Sequence, residues 1–345
     1  MLELISHVIQ ISSRRDRTEI NSSMVDALRT LFSPQRLTIY RCYTGTRKPM
    51  VFACASHGPN GKQLQNAYLP DKKFCQPLER DPLLARCRKE KSAVLDYLPD
   101  GSHRVIFPIM DHNEPIYLID LTLSDTFSAD QRVTLMGLIE YFGNHIGLLD
   151  YGETDTLTGL ANRKTFDKHL FELLGKASAD PQTGAQESRR RGADGNPHWL
   201  AVCDIDHFKR VNDTFGHLIG DEVLIMLAQV MRQSFRFDDQ LFRFGGEEFV
   251  ALLQPMSEQD AIATLERFRS NVEKQSFSRV GKITASIGFS ALQAHDTPTD
   301  VIDRADEALY FAKRNGRNQV ACYEELIASG GLSAKEIAKG EVELF

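Results

Sequence analysis

The feature that most constrains this chain is the segment LFRFGGEEFVALL at residues 241–253. Two apolar runs flank a pair of glycines and a pair of glutamates, which is typical of two strands joined by a tight turn. Gly245 and Gly246 suit a two-residue turn that needs a positive φ at both positions. We therefore predict a β-hairpin in which Glu247 and Glu248 begin the return strand and point to opposite faces. The alternative is an ordinary surface turn with solvated acids.

A second group of acids follows an apolar segment, WLAVCDID at residues 199–206, which predicts a buried strand. A buried charge is costly unless a cation or hydrogen-bond donors accompany it. One interpretation makes Asp204 or Asp206 the N-cap of the next helix, but it leaves a third acid, Asp221, without a role. The other interpretation lets Asp204 and Glu247 converge as oxygen ligands of Mg²⁺, an ion that keeps coordination sites for phosphates.

A basic segment, KRNGRN, lies near the end of the chain. Lys313 falls in the last turn of a predicted helix, and Arg317 follows the Gly316 that ends it. Such residues complement the helix dipole, but they can also hold phosphate oxygens, which arginine binds two at a time. Both interpretations remain open from the residues alone.

The length of 345 residues suggests two domains. Acidic residues outnumber basic ones, 47 to 41, so we expect no general attraction to nucleic acid or to an anionic membrane. We see neither a membrane-length apolar run nor a signal peptide. The six cysteines include no C-x-x-C pair, so a cytoplasmic protein with reduced, buried thiols is the expectation.

The first half of the chain predicts an α/β domain followed by a long helix. A helical stripe and two hairpins are predicted, with strands at 37–43, 49–56, 104–110 and 115–123. Ser128 then opens a helix with Gln131 as its capping-box partner. The apolar stripe of this helix can pack on its own domain or pair with the same helix of a second copy. The stripe consists of Leu135, Leu138, Ile139, Phe142, Ile146 and Leu149.

The second half predicts further helices and strands around the hairpin. Helices are predicted at 163–175, 221–235, 257–273 and 300–315, a strand at 282–292, and a polar surface loop at 176–198.

Five segments, in order, resemble the signature blocks of GGDEF domains, the diguanylate cyclases. They are DTLTGLANR (155–163), DIDHFKRVNDTFGHLIGDEVL (204–224), RFGGEEF (243–249), ASIGFS (285–290) and ADEALYFAKRNGRN (305–318). The resemblance implies a nucleotidyl-cyclase-like α+β domain with a mainly antiparallel sheet, similar to the palm of polymerases. It also implies an activity, the condensation of two GTP into cyclic di-GMP with release of two pyrophosphates.

The resemblance also implies site residues. Asp204, the Ile205 carbonyl and Glu247 would hold Mg²⁺, with Mn²⁺ as an alternative ion, and Glu248 would reach a second metal. Glu247 is the implied base, and Asp204 and Glu248 complete the catalytic set. The implied GTP-binding residues are Phe208, Lys209, Asn212, Asp221, Gly245, Gly246, Lys313 and Arg317.

The implied GTP contacts divide by chemistry. Asn212 and Asp221 would bind the guanine edge, and Asp221 can accept hydrogen bonds from N1–H and the exocyclic amine, a donor pair that adenine lacks. The triphosphate would meet a loop lined by Phe208 and Lys209 and a clamp formed by Lys313 and Arg317.

Arg236 and Asp239 match the family's R-x-x-D inhibitory site, where they would bind the product. A surface ion pair is the alternative for these two residues. One domain binds one GTP, so closing the ring requires two domains that face each other, and the resemblance implies a homodimer.

The first half resembles GAF-type sensory domains, in the order of its elements and in the FSADQ segment before the long helix. This implies a GAF-like domain at 1–127 that responds to an unknown small-molecule or protein signal, or that dimerises. A connecting helix at 128–153 would lead to a GGDEF domain at 154–323 and an acidic tail at 324–345. The alternatives to a regulated cyclase are a catalytically inactive cyclic di-GMP receptor and a purely sensory dimer module.

Overall fold

The computed structural model of the chain describes residues 2–43, 49–66, 72–111, 113–175, 195–293 and 295–332. The chain divides into two compact units: unit 1 consists of residues 1–156 and 236–238, and unit 2 of the remainder. Within the described residues, every helix is too short or too polar to span a membrane.

Unit 1 is a mixed α/β domain. Its helices are α1 (Leu2–Ser13), α2 (Arg17–Phe32), α3 (Pro82–Glu90) and α4 (Ala129–Glu153), with 3-10 turns at Lys72–Phe74 and Leu78–Arg80. Its strands are β1 (Arg36–Tyr43), β2 (Met50–Gly58), β3 (Gly61–Leu64), β4 (Cys75–Pro77), β5 (Val94–Tyr97), β6 (His103–Asp111) and β7 (Glu114–Leu123). They form an antiparallel sheet in the order β3-β2-β1-β7-β6-β5, with β4 also paired to β2.

The predicted capping box of α4 is confirmed, because Gln131 N–H donates to Ser128 Oγ and Ser128 N–H donates to Gln131 Oε1. The apolar stripe of α4 is buried in the core of its own unit, together with α2 and the inner face of the sheet. Of the two interpretations of this stripe, packing on its own domain is therefore the one that the structure shows.

A buried ion-pair group ties the start of α2 to the end of α4. Arg17 is 1% exposed; its Nε lies 2.6 Å from a Glu153 carboxylate oxygen, and Nη2 contacts the Asp150 carboxylate. Burial opposes the charge of this guanidinium, but Tyr117 and the two carboxylates raise the pKa of Arg17 well above its ordinary value. The charge of Arg17 is thus matched inside the unit.

Unit 2 contains a second sheet. Its strands are β8 (Ala161–Asn162), β9 (Trp199–Ile205), β10 (Gln240–Gly245), β11 (Glu248–Leu253), β12 (Ala285–Ala291) and β13 (Val320–Cys322), in the order β13-β12-β9-β11-β10-β8. Its helices are α5 (Arg163–Gly175), α6 (Phe208–Phe215), α7 (His217–Ser234), α8 (Glu258–Lys274), α9 (Pro298–Arg314) and α10 (Tyr323–Ala328). The central pairs β12–β9, β9–β11 and β11–β10 are antiparallel, and the outer pairs are parallel.

Alternation along the central strands gives this sheet two different faces. Residues such as Cys203, Phe249 and Ile287 point into the main core, which includes α7 and α8. The other face of β12 meets α9 so closely that a Cβ at Gly288 would lie 2.0 Å from the Leu309 backbone nitrogen. Glycine is required there because α9 rests directly on the strand.

Most predicted helices and strands are confirmed, with two differences. The helix predicted at 221–235 begins at His217, after Gly216 at a φ of +82° separates it from α6. The polar segment 57–100, for which nothing was predicted, holds three short strands and α3. Three predicted segments fall outside the described residues: the first predicted turn (44–48), most of the predicted loop (176–194) and most of the tail (333–345).

Candidate active site

The glutamate hairpin differs from the prediction by one position. Gly245 and Gly246 both have positive φ, +142° and +54°, as predicted. Gly245 pairs with Glu248, however, so the loop residues are Gly246 and Glu247. Glu247 therefore lies in the turn and only Glu248 belongs to the return strand. The Arg243 guanidinium fixes the turn by donating to the Gly246 carbonyl, with Nη2 at 2.8 Å.

Strand register brings the predicted acids of two segments together. Asp204 is paired with Glu248 of β11 on one side and with Ser286 of β12 on the other. Directly paired residues project from the same face of a sheet. Asp204, Glu248 and Ser286 therefore share the face that α9 covers, at the end of β9.

A lysine from α9 reaches the buried acid of this face. Lys313 Nζ lies 2.8 Å from Asp204 Oδ1, whose side chain is 8% exposed. Burial and the charge of Glu248 raise the pKa of Asp204 above its usual value, although Lys313 opposes this effect. Burial and the charge of Asp204 likewise raise the pKa of Glu247. The strand end therefore concentrates more negative charge than the lysine alone balances.

One acid near this site was missed by the sequence analysis. Asp306, on α9, has a pKa raised by burial and by the charge of Glu248. Its only sequence signal was its place within ADEALYFAKRNGRN, the block that also contains Lys313. Asp306 thus belongs to the electrostatic surroundings of Glu248.

The N-cap interpretation of the strand-end acids is wrong. The N-cap of α6 is His207, in a left-handed conformation and without a side-chain capping bond. Asp206 instead accepts hydrogen bonds from Thr284, Ser286 and Asn318. Asp204 instead contacts Lys313.

The residues expected to contact guanine lie on two consecutive helices. Asn212 is on α6 and Asp221 on α7, and both are half-buried. A Cβ at Gly220 would lie 2.0 Å from Asn212 Oδ1, so this glycine makes room for the Asn212 side chain. Phe208 packs in the main core and approaches the same glycine. Lys209 is exposed on the first turn of α6.

Arg317, the other expected phosphate ligand, follows α9 at a φ of +60° and is exposed. Lys313 therefore lies in the last turn of α9 and Arg317 just beyond its end. Within the described residues, only Lys313 of these two forms an ion pair with an acid of the site. For the R-x-x-D pair, Arg236 is exposed, whereas Asp239 is 6% exposed and accepts a hydrogen bond from the Gln254 backbone at 3.0 Å.

The donor set at the strand end fits a hard divalent ion. Within the described residues no three His, Cys, Asp or Glu side chains form a metal-binding group. The fit instead comes from two carboxylates, Asp204 and Glu247, of which Asp204 raises the pKa of Glu247, and from the adjacent Ile205 carbonyl. Mg²⁺ takes few protein ligands of this kind.

Unit 2 is thus a mixed α/β domain with a mainly antiparallel sheet and with carboxylates and a lysine at the end of its central strand. Residues 153–319 match the family described as "Diguanylate cyclase, GGDEF domain". This part of the chain is therefore a GGDEF domain.

Two curated relatives carry the same activity in their names. The chain is 43% identical over 171 residues to diguanylate cyclase DgcP of Pseudomonas aeruginosa, covering 46% of this chain and 26% of that protein. It is 35% identical over 203 residues to diguanylate cyclase DosC of Escherichia coli, covering 57% of this chain and 40% of that protein. The chain thus spans well under two thirds of either relative.

Among solved structures, the GGDEF domain of DgcB from Caulobacter crescentus, in complex with c-di-GMP, is 36% identical to this chain. That match covers 50% of this chain and 96% of the DgcB domain, with a TM-score of 0.44.

Proposed function

We propose that this chain is a diguanylate cyclase that condenses two GTP into cyclic di-GMP. The observation that carries the proposal is the meeting of Asp204, Glu248 and Lys313 at one sheet end within a GGDEF domain. In each half-reaction, the 3′-oxygen of one GTP bonds to the α-phosphorus of the other. The bond from that phosphorus to pyrophosphate breaks and the hydroxyl proton leaves. Two such steps close the ring.

The proposed substrate contacts are those that the family resemblance implies, and the chemistry of the residues supports them. Asn212 and Asp221 bind the guanine edge, where Asp221 accepts from two donors that adenine does not present together. Lys313 and Arg317 bind the β- and γ-phosphates and balance the charge of the departing pyrophosphate. Phe208 and Lys209 line the triphosphate loop, and the small Gly245 and Gly246 leave the turn open to the nucleotide.

We propose Mg²⁺, with Mn²⁺ as the alternative ion, as the cofactor. Asp204, the Ile205 carbonyl and Glu247 would hold it, and Glu248 would reach a second ion. When bound, a divalent ion lowers the pKa of the attacking hydroxyl and neutralises charge on the leaving oxygens. Glu247 has a second proposed role as the base that accepts the hydroxyl proton.

We also propose that the enzyme works as a homodimer regulated by a GAF-like unit 1. Each domain holds one GTP, so the rate depends on how often two domains meet. Four apolar side chains on α4 remain more than half exposed, and a second copy would cover them. They are Val133, Met136, Leu148 and Tyr151. Arg236 and Asp239 are the proposed site of product inhibition.

The proposal is tested by incubating the purified chain with GTP and Mg²⁺ and separating the products by chromatography. We expect cyclic di-GMP, with two pyrophosphates released per ring. Glu247→Ala removes this product, whereas Glu79→Ala, which changes an exposed glutamate of unit 1, keeps it. A wild-type chain that binds cyclic di-GMP but never forms it is a receptor, and the cyclase proposal is then wrong.

A further inference from the structure

Asp206 is the second acid of the strand end, and its carboxylate is fully engaged. The residue is 5% exposed. Thr284 Oγ1 donates to Oδ2 at 2.7 Å and Ser286 Oγ donates to Oδ1 at 2.7 Å. The Asp206 backbone N–H also donates to the Thr284 carbonyl at 2.9 Å. Asp206 is therefore held against β12 by both its backbone and its side chain.

A third donor to Asp206 comes from beyond α9. The Asn318 backbone N–H lies 3.0 Å from Asp206 Oδ2. Asn318 and the preceding Arg317 both have positive φ, +45° and +60°. Residues with a Cβ adopt this region rarely and keep it only where other contacts hold them. The hydrogen bond from Asn318 to Asp206 is one such contact.

The side chain of Asn318 is clamped from a third element, α8. Its Nδ2 donates to Glu273 Oε1 at 2.9 Å, and Arg269 Nη1 donates to its Oδ1 at 2.8 Å. Arg269 and Glu273 also pair with each other at 3.0 Å. Within the turn itself, the Arg317 N–H donates to the Ala312 carbonyl at 3.0 Å. The backbone that carries Arg317 is thus fixed from three directions.

The geometry points to Asp206 as a positioning residue: we propose that it holds the Gly316–Asn318 turn at a set place relative to Asp204, so that Arg317 can bind substrate phosphate. The Arg317 guanidinium is exposed and makes no recorded hydrogen bond or ion pair with the described residues, so a phosphate can occupy its donors. Asp204 and Asp206 are two residues apart. One short segment would therefore carry the cation ligand Asp204 and, through Asp206, also position the phosphate ligand Arg317. This inference rests on the proposed function, because that proposal assigns phosphate binding to Arg317.

A double-mutant cycle tests the inference in the full chain. Asp206→Asn keeps the shape of the side chain but presents an amide where hydrogen-bond donors converge. We expect it to raise KM for GTP about tenfold, with a smaller change in kcat, as for loss of one charge-assisted hydrogen bond. Arg317→Ala raises KM at least as much. Because Asp206 acts through Arg317, the double variant is no worse than Arg317→Ala alone.

A second variant covers the case in which Asp206→Asn fails to fold. Arg269→Met changes the outer clamp on α8, and we expect it also to raise KM without adding to the effect of Arg317→Ala. The matched control is Asp303→Asn, an exposed acid of α9, which leaves KM unchanged. Additive losses in either cycle, or a lower Tm with an unchanged KM, overturn the positioning role.

The outcomes separate this inference from the proposed function. If the wild type makes no cyclic di-GMP, the cyclase proposal fails, and the same cycle is measured as the Kd of a non-hydrolysable GTP analogue. If the analogue does not bind, Arg317 is not a phosphate ligand and the inference fails too. Hydrogen exchange of the Asn318 amide reports on the contact itself: we expect faster exchange in Asp206→Asn, and an unchanged rate contradicts the inference.

Discussion

Lys313 Nζ lies 2.8 Å from Asp204 Oδ1, so a proposed phosphate ligand is paired with a proposed cation ligand. The ammonium group cannot keep this contact at full strength while it also holds a phosphate. Binding of a phosphate to Lys313 would release the Asp204 carboxylate for the ion, and binding of the ion to Asp204 would release Lys313 for the phosphate. We infer that nucleotide and divalent ion favour each other's binding, as linked ligands do.

The turn glutamate gives a prediction about stability. Burial and the charge of Asp204 raise the pKa of Glu247 above 4.5, so its ionised form is disfavoured in the folded state. We expect Glu247→Gln to raise the free energy of unfolding at neutral pH by up to about 1 kcal/mol when a chelator is present. The gain disappears below pH 4.5, where the glutamate is protonated in both folded and unfolded chains.

Urea denaturation in EDTA, at neutral pH and at a pH well below 4.5, measures this difference. Adding Mg²⁺ should then stabilise the wild type more than the variant. If the wild type and Glu247→Gln are equally stable at both pH values, burial and the charge of Asp204 do not destabilise ionised Glu247.

Gly220 makes room for Asn212, and filling that space should damage GTP binding. An added Cβ would lie 2.0 Å from Asn212 Oδ1. We expect Gly220→Ala to raise KM for GTP about tenfold, as for loss of a guanine hydrogen bond, while Tm changes little because a half-buried side chain can move. Steady-state kinetics measure this. Gly137→Ala, where a Cβ meets no atom within 4 Å, is the control, and equal KM values for both variants would be evidence against the assignment.

Adding a side chain at Gly288 should lower both stability and activity. A Cβ there would lie 2.0 Å from Leu309 N and 2.3 Å from Ala305 O, and neither backbone atom can rotate away. Since α9 must shift, we expect Gly288→Ala to cost about 3 kcal/mol. The same shift displaces Lys313, so turnover falls even below the melting temperature. Thermal denaturation and rates measured at low temperature test the two effects separately, and wild-type values in either would contradict it.

Loss of the Arg17 guanidinium should strongly destabilise unit 1. Arg17→Met leaves the carboxylates of Asp150 and Glu153 without their buried partner, and we expect a loss of about 3 to 5 kcal/mol. Neutralising both acids in the same chain, with Asp150→Asn and Glu153→Gln, should recover most of that loss. Urea denaturation of the single and triple variants measures it. A single variant as stable as the wild type would show that the ion pairs contribute nothing.

The inhibitory site is best tested at Arg236. Asp239 already accepts a hydrogen bond from Gln254 inside unit 2, so its removal would disturb the fold as well as any ligand. We expect Arg236→Ala to weaken inhibition by cyclic di-GMP at least about tenfold, because a guanidinium makes charge-assisted bonds to phosphate and guanine. Initial rates at rising concentrations of added product measure this. Unchanged sensitivity would place the inhibitory site elsewhere.

Much of unit 2 could be predicted because its signals are local. A continuous apolar run identified β9 and placed Asp204 at its end, and the two glycines located the turn. The position of Glu247 was predicted one step wrong, because the pairing register shifts between Arg243 and Gly245. A shift of this kind depends on contacts across the sheet and leaves no mark on the pattern of residue types.

The role of Asp206 could not be predicted for a related reason. Its three hydrogen-bond donors lie 78, 80 and 112 residues further along the chain. Local rules favour an N-cap for an aspartate at a strand-to-helix junction. Distant donors that converge on the same carboxylate outweigh that local preference.

Glu247 and Glu248 are neighbours in the chain, but one lies in a two-residue turn and the other is locked into a strand next to Asp204. The two carboxylates are therefore held in different ways: the strand ladder holds Glu248 beside Asp204, whereas the Arg243 guanidinium holds the turn that carries Glu247 through the Gly246 carbonyl. On the proposed function, the placement of the Glu247 ligand would thus depend on one guanidinium, and that of Glu248 on two paired strands.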